Sequence, residues 1–150
     1  MLNQPLADFE LPATGGKTFK LSYYSRKRLL IYFYPKDNTP GCTTESMQFR
    51  DHYAEFQQVG CDIAGISRDS IRSHEAFKAK LSLPFDLLSD TEETACQLFG
   101  VMKLKNMYGK QVRGIERSTF IIDQGVLVKE WRGVKVPDHV SAVLDFIKTL

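Results

Sequence analysis

The chain has 150 residues, enough for one domain that buries about 68 to 70 percent of its unfolded surface without covalent staples. Basic and acidic residues are interspersed and leave a formal net charge of +2, which provides no field of the kind that nucleic acid or a membrane surface requires. Three cysteines, an odd number without a C-x-x-C pair, exclude a disulfide scaffold and a zinc knuckle, and no H-E-x-x-H spacing suggests another metal, so no cofactor is expected. Met1 to Glu10 has neither a basic start nor an apolar core, and no apolar run is long enough to span a bilayer. A soluble, cytoplasmic protein, monomeric or weakly dimeric, is the expectation.

In chain order, Asp8–Leu11 and Lys17–Leu21 alternate polar and apolar residues around Gly15-Gly16 and predict a hairpin covering one end of the core. Leu29 to Tyr34 reads as a buried strand that stops at Pro35. Pro35-Lys36-Asp37-Asn38 is turn chemistry. Thr39-Pro40 then supplies an N-cap hydroxyl and a proline at the first helical position, which predicts a helix running to Gly60. Asp62 to Ser67 is a second buried strand, and strand, helix, strand implies parallel pairing.

Ser70 to Leu81 carries Ile71, His74, Phe77 and Leu81 at helical spacing and ends before Pro84. Phe85 to Leu88 is a short strand. Asp90-Thr91-Glu92-Glu93 has the look of an acidic N-cap with glutamate at N3, opening a helix that contains Cys96 and closes at Gly100. Lys103, Lys105, Lys110 and Arg113, set with Gly109 and Gly114, form a basic patch whose plain reading is a solvated loop. Ser118–Asp123 and Val126–Trp131 flank Gln124-Gly125 as a second hairpin, and His139 to Leu150 places Val140, Val143, Leu144 and Ile147 in one helical stripe. Pattern alone yields an α/β chain with a mixed sheet.

Cys42 stands in the first turn of the helix after the central strand. Ser46, Phe49, Tyr53 and Phe56 follow it on one helical face, so the sulfur heads the side turned to the core. A thiol there lies among unpaired N–H groups at the positive end of the helix dipole, and both favour the anion, predicting a strongly lowered pKa. The plain alternative is a small buried hydrophobe. Thr39 brings a hydroxyl to the same helix mouth.

Pro35-x-x-x-Thr39-x-x-Cys42 resembles the active-site signature of the peroxiredoxins, and Y-F-Y-P-K-D-N-T-P-G-C-T-T-E is similar to that of their bacterioferritin comigratory (Q-type) subgroup. Gly65-Ile66-Ser67 with Asp69, Leu88-Ser89-Asp90, Met107-Tyr108-Gly109-Lys110 and Gly114 to Asp123 match in the same order, so the resemblance covers essentially the whole chain. It implies a thioredoxin-like fold over residues 1–150, a central mixed sheet flanked by helices, with an N-terminal β-hairpin extension. It also implies a thiol-dependent peroxidase that reduces hydrogen peroxide and organic hydroperoxides through a Cys42 sulfenic acid, with thioredoxin or a low-molecular-weight thiol as reductant. The basic Lys103–Arg113 segment becomes, on the same ground, a flexible rim over the active site.

Reaction of a thiolate with a peroxide builds charge on the departing oxygen, which preorganised donors must meet. Thr39 Oγ and the Cys42 N–H are candidates by position. The resemblance makes Arg117 the missing cation and gives Glu45 the task of holding it, where a strand-end arginine and a solvated first-turn glutamate are the plain alternatives. Among the histidines, His52 is ten residues beyond Cys42, about 80° off its face and roughly 15 Å along the axis, so it cannot be a base to the sulfur. His74 and His139 read as packing or surface residues.

Many relatives of this type carry the resolving cysteine at the second position of C-x-x-x-x-C, five residues after the first, and others carry it in the following helix, but Met47 occupies the former position here and His74–Lys80 contains no cysteine. Cys61 opens a buried strand and reads as packing. Cys96 is the other internal candidate. A one-cysteine cycle resolved by an external thiol is therefore favoured over a two-cysteine cycle through Cys96, and a non-turnover redox sensor or chaperone is the alternative from another class.

Overall fold

A computed structural model describes residues 1–150. Nine strands form two sheets: β1 (Glu10–Ala13), β2 (Lys17–Lys20), β3 (Arg28–Phe33), β4 (Cys61–Ser67), β5 (Asp86–Ser89), β6 (Met102–Met107), β7 (Lys110–Ile115), β8 (Ser118–Asp123) and β9 (Val126–Arg132). The large sheet has the order β2-β1-β5-β4-β3-β8-β9, with β3, β4 and β5 parallel and the remaining pairs antiparallel. This is the expected mixed sheet, with the β1–β2 hairpin added at one edge. No helix is long and apolar enough to cross a membrane.

The sheet is buried on both faces. Leu29, Ile31, Phe33, Ile66, Phe120 and Ile122 point to one side, where α4 (Thr94–Phe99) packs with Cys96 and Phe99. Leu30, Tyr32, Tyr34, Leu87 and Ile121 point to the other, against α1 (Pro40–Asp51), α2 (Tyr53–Gln58), α3 (Ile71–Leu81) and α5 (His139–Ile147). Alternation along β3 thus feeds two cores, and each fully buried large apolar side chain in them contributes on the order of 1.5–3 kcal/mol. The crossover from β3 through α1 and α2 to β4 puts the first turn of α1 at the carboxyl end of the central strands, where open α/β sheets gather ligands.

Several expectations need correction. The helix predicted from Pro40 to Gly60 is broken at His52, whose backbone opens to ψ 6° and whose Nδ1 hydrogen-bonds the Gln48 carbonyl that its own N–H also uses. The apolar face survives the break, because Phe49 and Phe56 are both fully buried. The acidic segment Asp90–Glu93 does not open α4 as a capping box. Glu93 takes a left-handed conformation (φ 62°) and faces Arg68 and Arg113, while Asp90 Oδ2 reaches past it to accept from Cys96 N at 2.7 Å. A 3-10 turn at Leu21–Tyr24 was not foreseen.

The largest departure is the basic segment. Instead of a loop it forms β6 and β7, a separate two-stranded sheet in full register from Met102↔Ile115 to Met107↔Lys110. Tyr108 and Gly109 make its turn, both at positive φ (52° and 78°), the pairing of conformations that matches strand twist and for which glycine is suited. Leu104, Met107, Tyr108 and Val112 are exposed, so no core periodicity announced the hairpin.

Candidate active site

The site is built from the loop after β3, the start of α1 and the approach to β8. Tyr34 N still bonds Ile66 O, keeping the chain in the sheet up to half-buried Pro35. Asp37 then turns inward. Its carboxylate accepts from Tyr34 OH (2.6 Å), Ser73 Oγ (2.8 Å) and His74 Nδ1 (2.8 Å), and its backbone N–H donates to Asp69 Oδ2 (2.9 Å). Burial alone would raise the Asp37 carboxyl, but these donors, His74 foremost, hold it below its ordinary value. His74 Nε2 bonds Leu88 O at 2.9 Å, so the loop that leads into the helix is tied to the ends of β3, β4 and β5 and to α3. His74 is a structural clamp in the core, not a surface residue.

Thr39 occupies the N-cap position with extended backbone (φ −86°, ψ 151°), and its carbonyl accepts from Thr43 N. Its hydroxyl caps nothing. Oγ1 donates to Lys36 O at 2.8 Å, which commits the proton and leaves lone pairs, so Thr39 offers an acceptor where a donor was expected.

Cys42 is 1% exposed, the third residue of α1. Arg117, arriving just before β8, donates from Nη2 to Cys42 Sγ (3.3 Å) and from Nη1 to Glu45 Oε1 (2.8 Å). One guanidinium fork thus spans the sulfur and the carboxylate one helical turn below it. Gly41 makes this approach possible, since a Cβ there would stand 3.1 Å from Arg117 Nη2. Burial works against the Arg117 charge, and Glu45 and Cys42 more than restore it.

Glu45 is fully buried, not the solvated first-turn residue of the plain reading. Burial outweighs the attraction of Arg117 and pushes its carboxyl up to about 7, and Oε2 has no hydrogen-bond partner. Below it, Ser46 Oγ bonds Tyr32 OH (2.9 Å), whose ring stacks on Phe49 at 4.6 Å, anchoring the helix to β3.

None of the histidines bonds the sulfur. His52 lies at the far end of α1, and His139 Nε2 bonds Thr119 Oγ1 (2.8 Å) with its pKa lowered to about 4 by burial and by Arg117. Lys105, on β6, donates to Ile115 O just ahead of Arg117 and is depressed by burial. Sequence reasoning missed Asp37, His74 and Gly41 as site residues, for which only the turn chemistry around Asp37 and the glycine before Cys42 carry a signal, and it reached Lys105 only as part of the basic rim.

The other two thiols are remote from this cluster. Cys61 opens β4 opposite Arg28, at the other end of the strands, and burial raises it to about 12. Cys96 lies in the core on the opposite face of the sheet, its thiol raised by burial and by Asp90.

A family model described as AhpC/TSA matches residues 2–130. Peroxiredoxin Bcp of Bacillus subtilis is 49% identical over 150 residues, covering 99% of this chain and 96% of that protein. Peroxiredoxin Bcp of Xanthomonas campestris is 50% identical, covering 99% and 94%. A solved structure of the Xanthomonas campestris bacterioferritin comigratory protein, described for its alkyl peroxide reduction activity, superposes with a TM-score of 0.90 at 48% identity, covering 94% of this chain and 90% of that one. A variant of PrxQ from Xylella fastidiosa gives a TM-score of 0.95 at 41% identity, covering 99% and 96%. The chain therefore belongs to the AhpC/TSA family and is a thioredoxin-fold peroxiredoxin of the Bcp (Q-type) group, a thiol peroxidase.

Proposed function

We propose that Cys42 is the peroxide-attacking residue of a one-cysteine cycle. The Cys42 thiolate attacks the terminal oxygen of hydrogen peroxide or an organic hydroperoxide; the S–O bond forms as the O–O bond breaks, and the departing oxygen leaves with the electron pair and is protonated. Arg117 and the Cys42 N–H meet the charge on the oxygens, and Thr39 Oγ1 accepts from the peroxide hydroxyl. Pro35 shapes the loop that carries Thr39, and Glu45 orients Arg117. A reductant thiol then attacks the sulfenic sulfur and releases water, and a second thiol frees Cys42 from the mixed disulfide.

The observation that carries this reading is the Arg117 fork, which bonds Cys42 Sγ and Glu45 together and does so for no other cysteine. The single-thiol form of the cycle is supported by distance. Cys61 is separated from the mouth of α1 by about the length of β3, roughly 17 Å, and Cys96 by the sheet itself. The reductant is a low-molecular-weight thiol or thioredoxin. Because Cys42 is almost fully buried, a protein reductant requires the first turn of α1 to open. Three free cysteines suit a reducing compartment, and the reading assigns the protein to the cytoplasm as a monomer or weak homodimer.

Turnover separates this reading from a redox sensor. With excess dithiothreitol, or with a thioredoxin system, the protein is expected to consume many equivalents of peroxide and Cys42→Ser none. Consumption that stops at one equivalent under both reductants would favour the sensor.

A further inference from the structure

On the reading of Cys42 as the attacking thiolate, its surroundings must balance a buried negative charge. Cys42 and Glu45 are both buried, both hydrogen-bonded to Arg117, and no other cation bonds either of them. Of the titratable groups around the pair, only Lys105 adds positive charge, and it bonds neither Cys42 nor Glu45. Tyr32 on β3 is bonded to Ser46, His139 on α5 is kept neutral by burial with its Nε2 on Thr119, and Lys105 on β6 is turned to the Ile115 carbonyl. A thiolate and a carboxylate together would divide the one guanidinium that bonds them and leave the second buried anion without a bonded cation of its own, which is costly, whereas one anion beside Arg117 is paired. Glu45 Oε2, buried and without a partner, is the atom at which a proton would sit.

We propose that Cys42 and Glu45 hold one negative charge between them, so that Glu45 is a carboxylic acid while Cys42 is a thiolate and yields its proton when the sulfur is oxidised. The balance closes on protein groups alone. Glu45 carboxylic acid, Cys42 thiolate and a hydroperoxide give Glu45 carboxylate, Cys42 sulfenic acid and an alcohol (water, from hydrogen peroxide). The S–O bond replaces the O–O bond, and the departing oxygen acquires the proton that Glu45 loses. The Arg117 charge is matched by a single anion before and after. Glu45 bonds Arg117 alone and acts through it, which makes it a positioning residue whose protonation follows the redox state of the sulfur; the upward shift of its carboxyl to about 7 agrees with this.

Proton uptake tests the idea directly. Reduced wild-type protein and Glu45→Gln are mixed with one equivalent of hydrogen peroxide at about pH 6.5, below the Glu45 midpoint, in weak buffer with an indicator dye. Uptake is divided by the sulfenic acid trapped on Cys42 with dimedone. Wild type is expected to take up close to no protons per sulfenic acid, because Glu45 supplies the one required, and Glu45→Gln to take up about one, because solvent must. Equal uptake by the two proteins would overturn the proposal. Should the variant not react, isotope-edited infrared difference spectra of the wild type decide: loss of a buried carboxylic acid C=O band on oxidation supports the proposal, and an unchanged carboxylate overturns it. Absence of a dimedone adduct on Cys42 would instead overturn the assignment of the attacking thiol, and this inference with it.

Discussion

Cys42 and Cys96 occupy the same local position. Each is the third residue of a helix that follows a sheet strand, and each is almost completely buried, one on either face of the sheet. Their neighbours have opposite charge. Arg117 donates to the Cys42 sulfur, whereas at Cys96 the Asp90 carboxylate accepts from the backbone N–H and, with burial, drives the thiol pKa up. A helix start is thus a shared background, and on the proposed reading the sign of the charged side chain set beside it distinguishes the reactive thiol.

Removing the sulfur is the severest change. Cys42→Ser is expected to abolish peroxide reduction, while Cys96→Ser and Cys61→Ser leave the rate of peroxide attack nearly unchanged, as stopped-flow measurements on the three variants would register. Next in size, Arg117→Ala should slow peroxide attack at least tenfold with the fold intact by circular dichroism. Arg117→Lys should not restore the rate, because a compact ammonium lacks the planar fork whose two separate nitrogens reach Sγ and Glu45. An unchanged rate in Arg117→Ala would make the charge difference irrelevant to reactivity.

Asp90→Asn removes the anion from the other side of the comparison. Weakening this charged acceptor for Cys96 N should cost about 1 kcal/mol in urea unfolding. Cys96 should nevertheless stay unoxidised by one equivalent of peroxide, because it remains buried in the core and no cation hydrogen-bonds its sulfur as Arg117 does that of Cys42. Gly41→Ala is the finest probe: its methyl would crowd Arg117 Nη2 at 3.1 Å, and a severalfold slower attack with little change in stability is expected.

The buried carboxylate leaves a signature in stability as well. Glu45 titrates near 4.5 when unfolded and at about 7 when folded, so between these values the folded state binds more protons. Stability from this group is therefore full below about 4.5 and declines as pH rises through 7, and Glu45→Gln should flatten that decline in denaturation curves measured across the interval.

Elements with a buried, periodic face were legible in the sequence: β3, β4, α3, β8, β9 and α5 lie where apolar spacing and turn residues put them. The β6–β7 hairpin was not, because Leu104, Met107, Tyr108 and Val112 are exposed among lysines and its strands cover no core. Of the site, Thr39 and Cys42 could be read as neighbours from spacing alone. Arg117, 75 residues from Cys42, could be named only through the family resemblance, since its place depends on β8 pairing with β3. The clamp between Asp37 and His74 and the burial of Glu45 had no sequence signal, because a turn aspartate, a helical histidine and a first-turn glutamate are ordinarily solvated.

Mass and peptide mapping under non-reducing conditions, after one equivalent of peroxide, shows whether one thiol of three is equipped to react. The expected product is a sulfenic acid on Cys42, trapped stoichiometrically by dimedone, with Cys61 and Cys96 recovered as thiols. A stoichiometric disulfide between Cys42 and either Cys96 or Cys61, within one chain or between two, would contradict it.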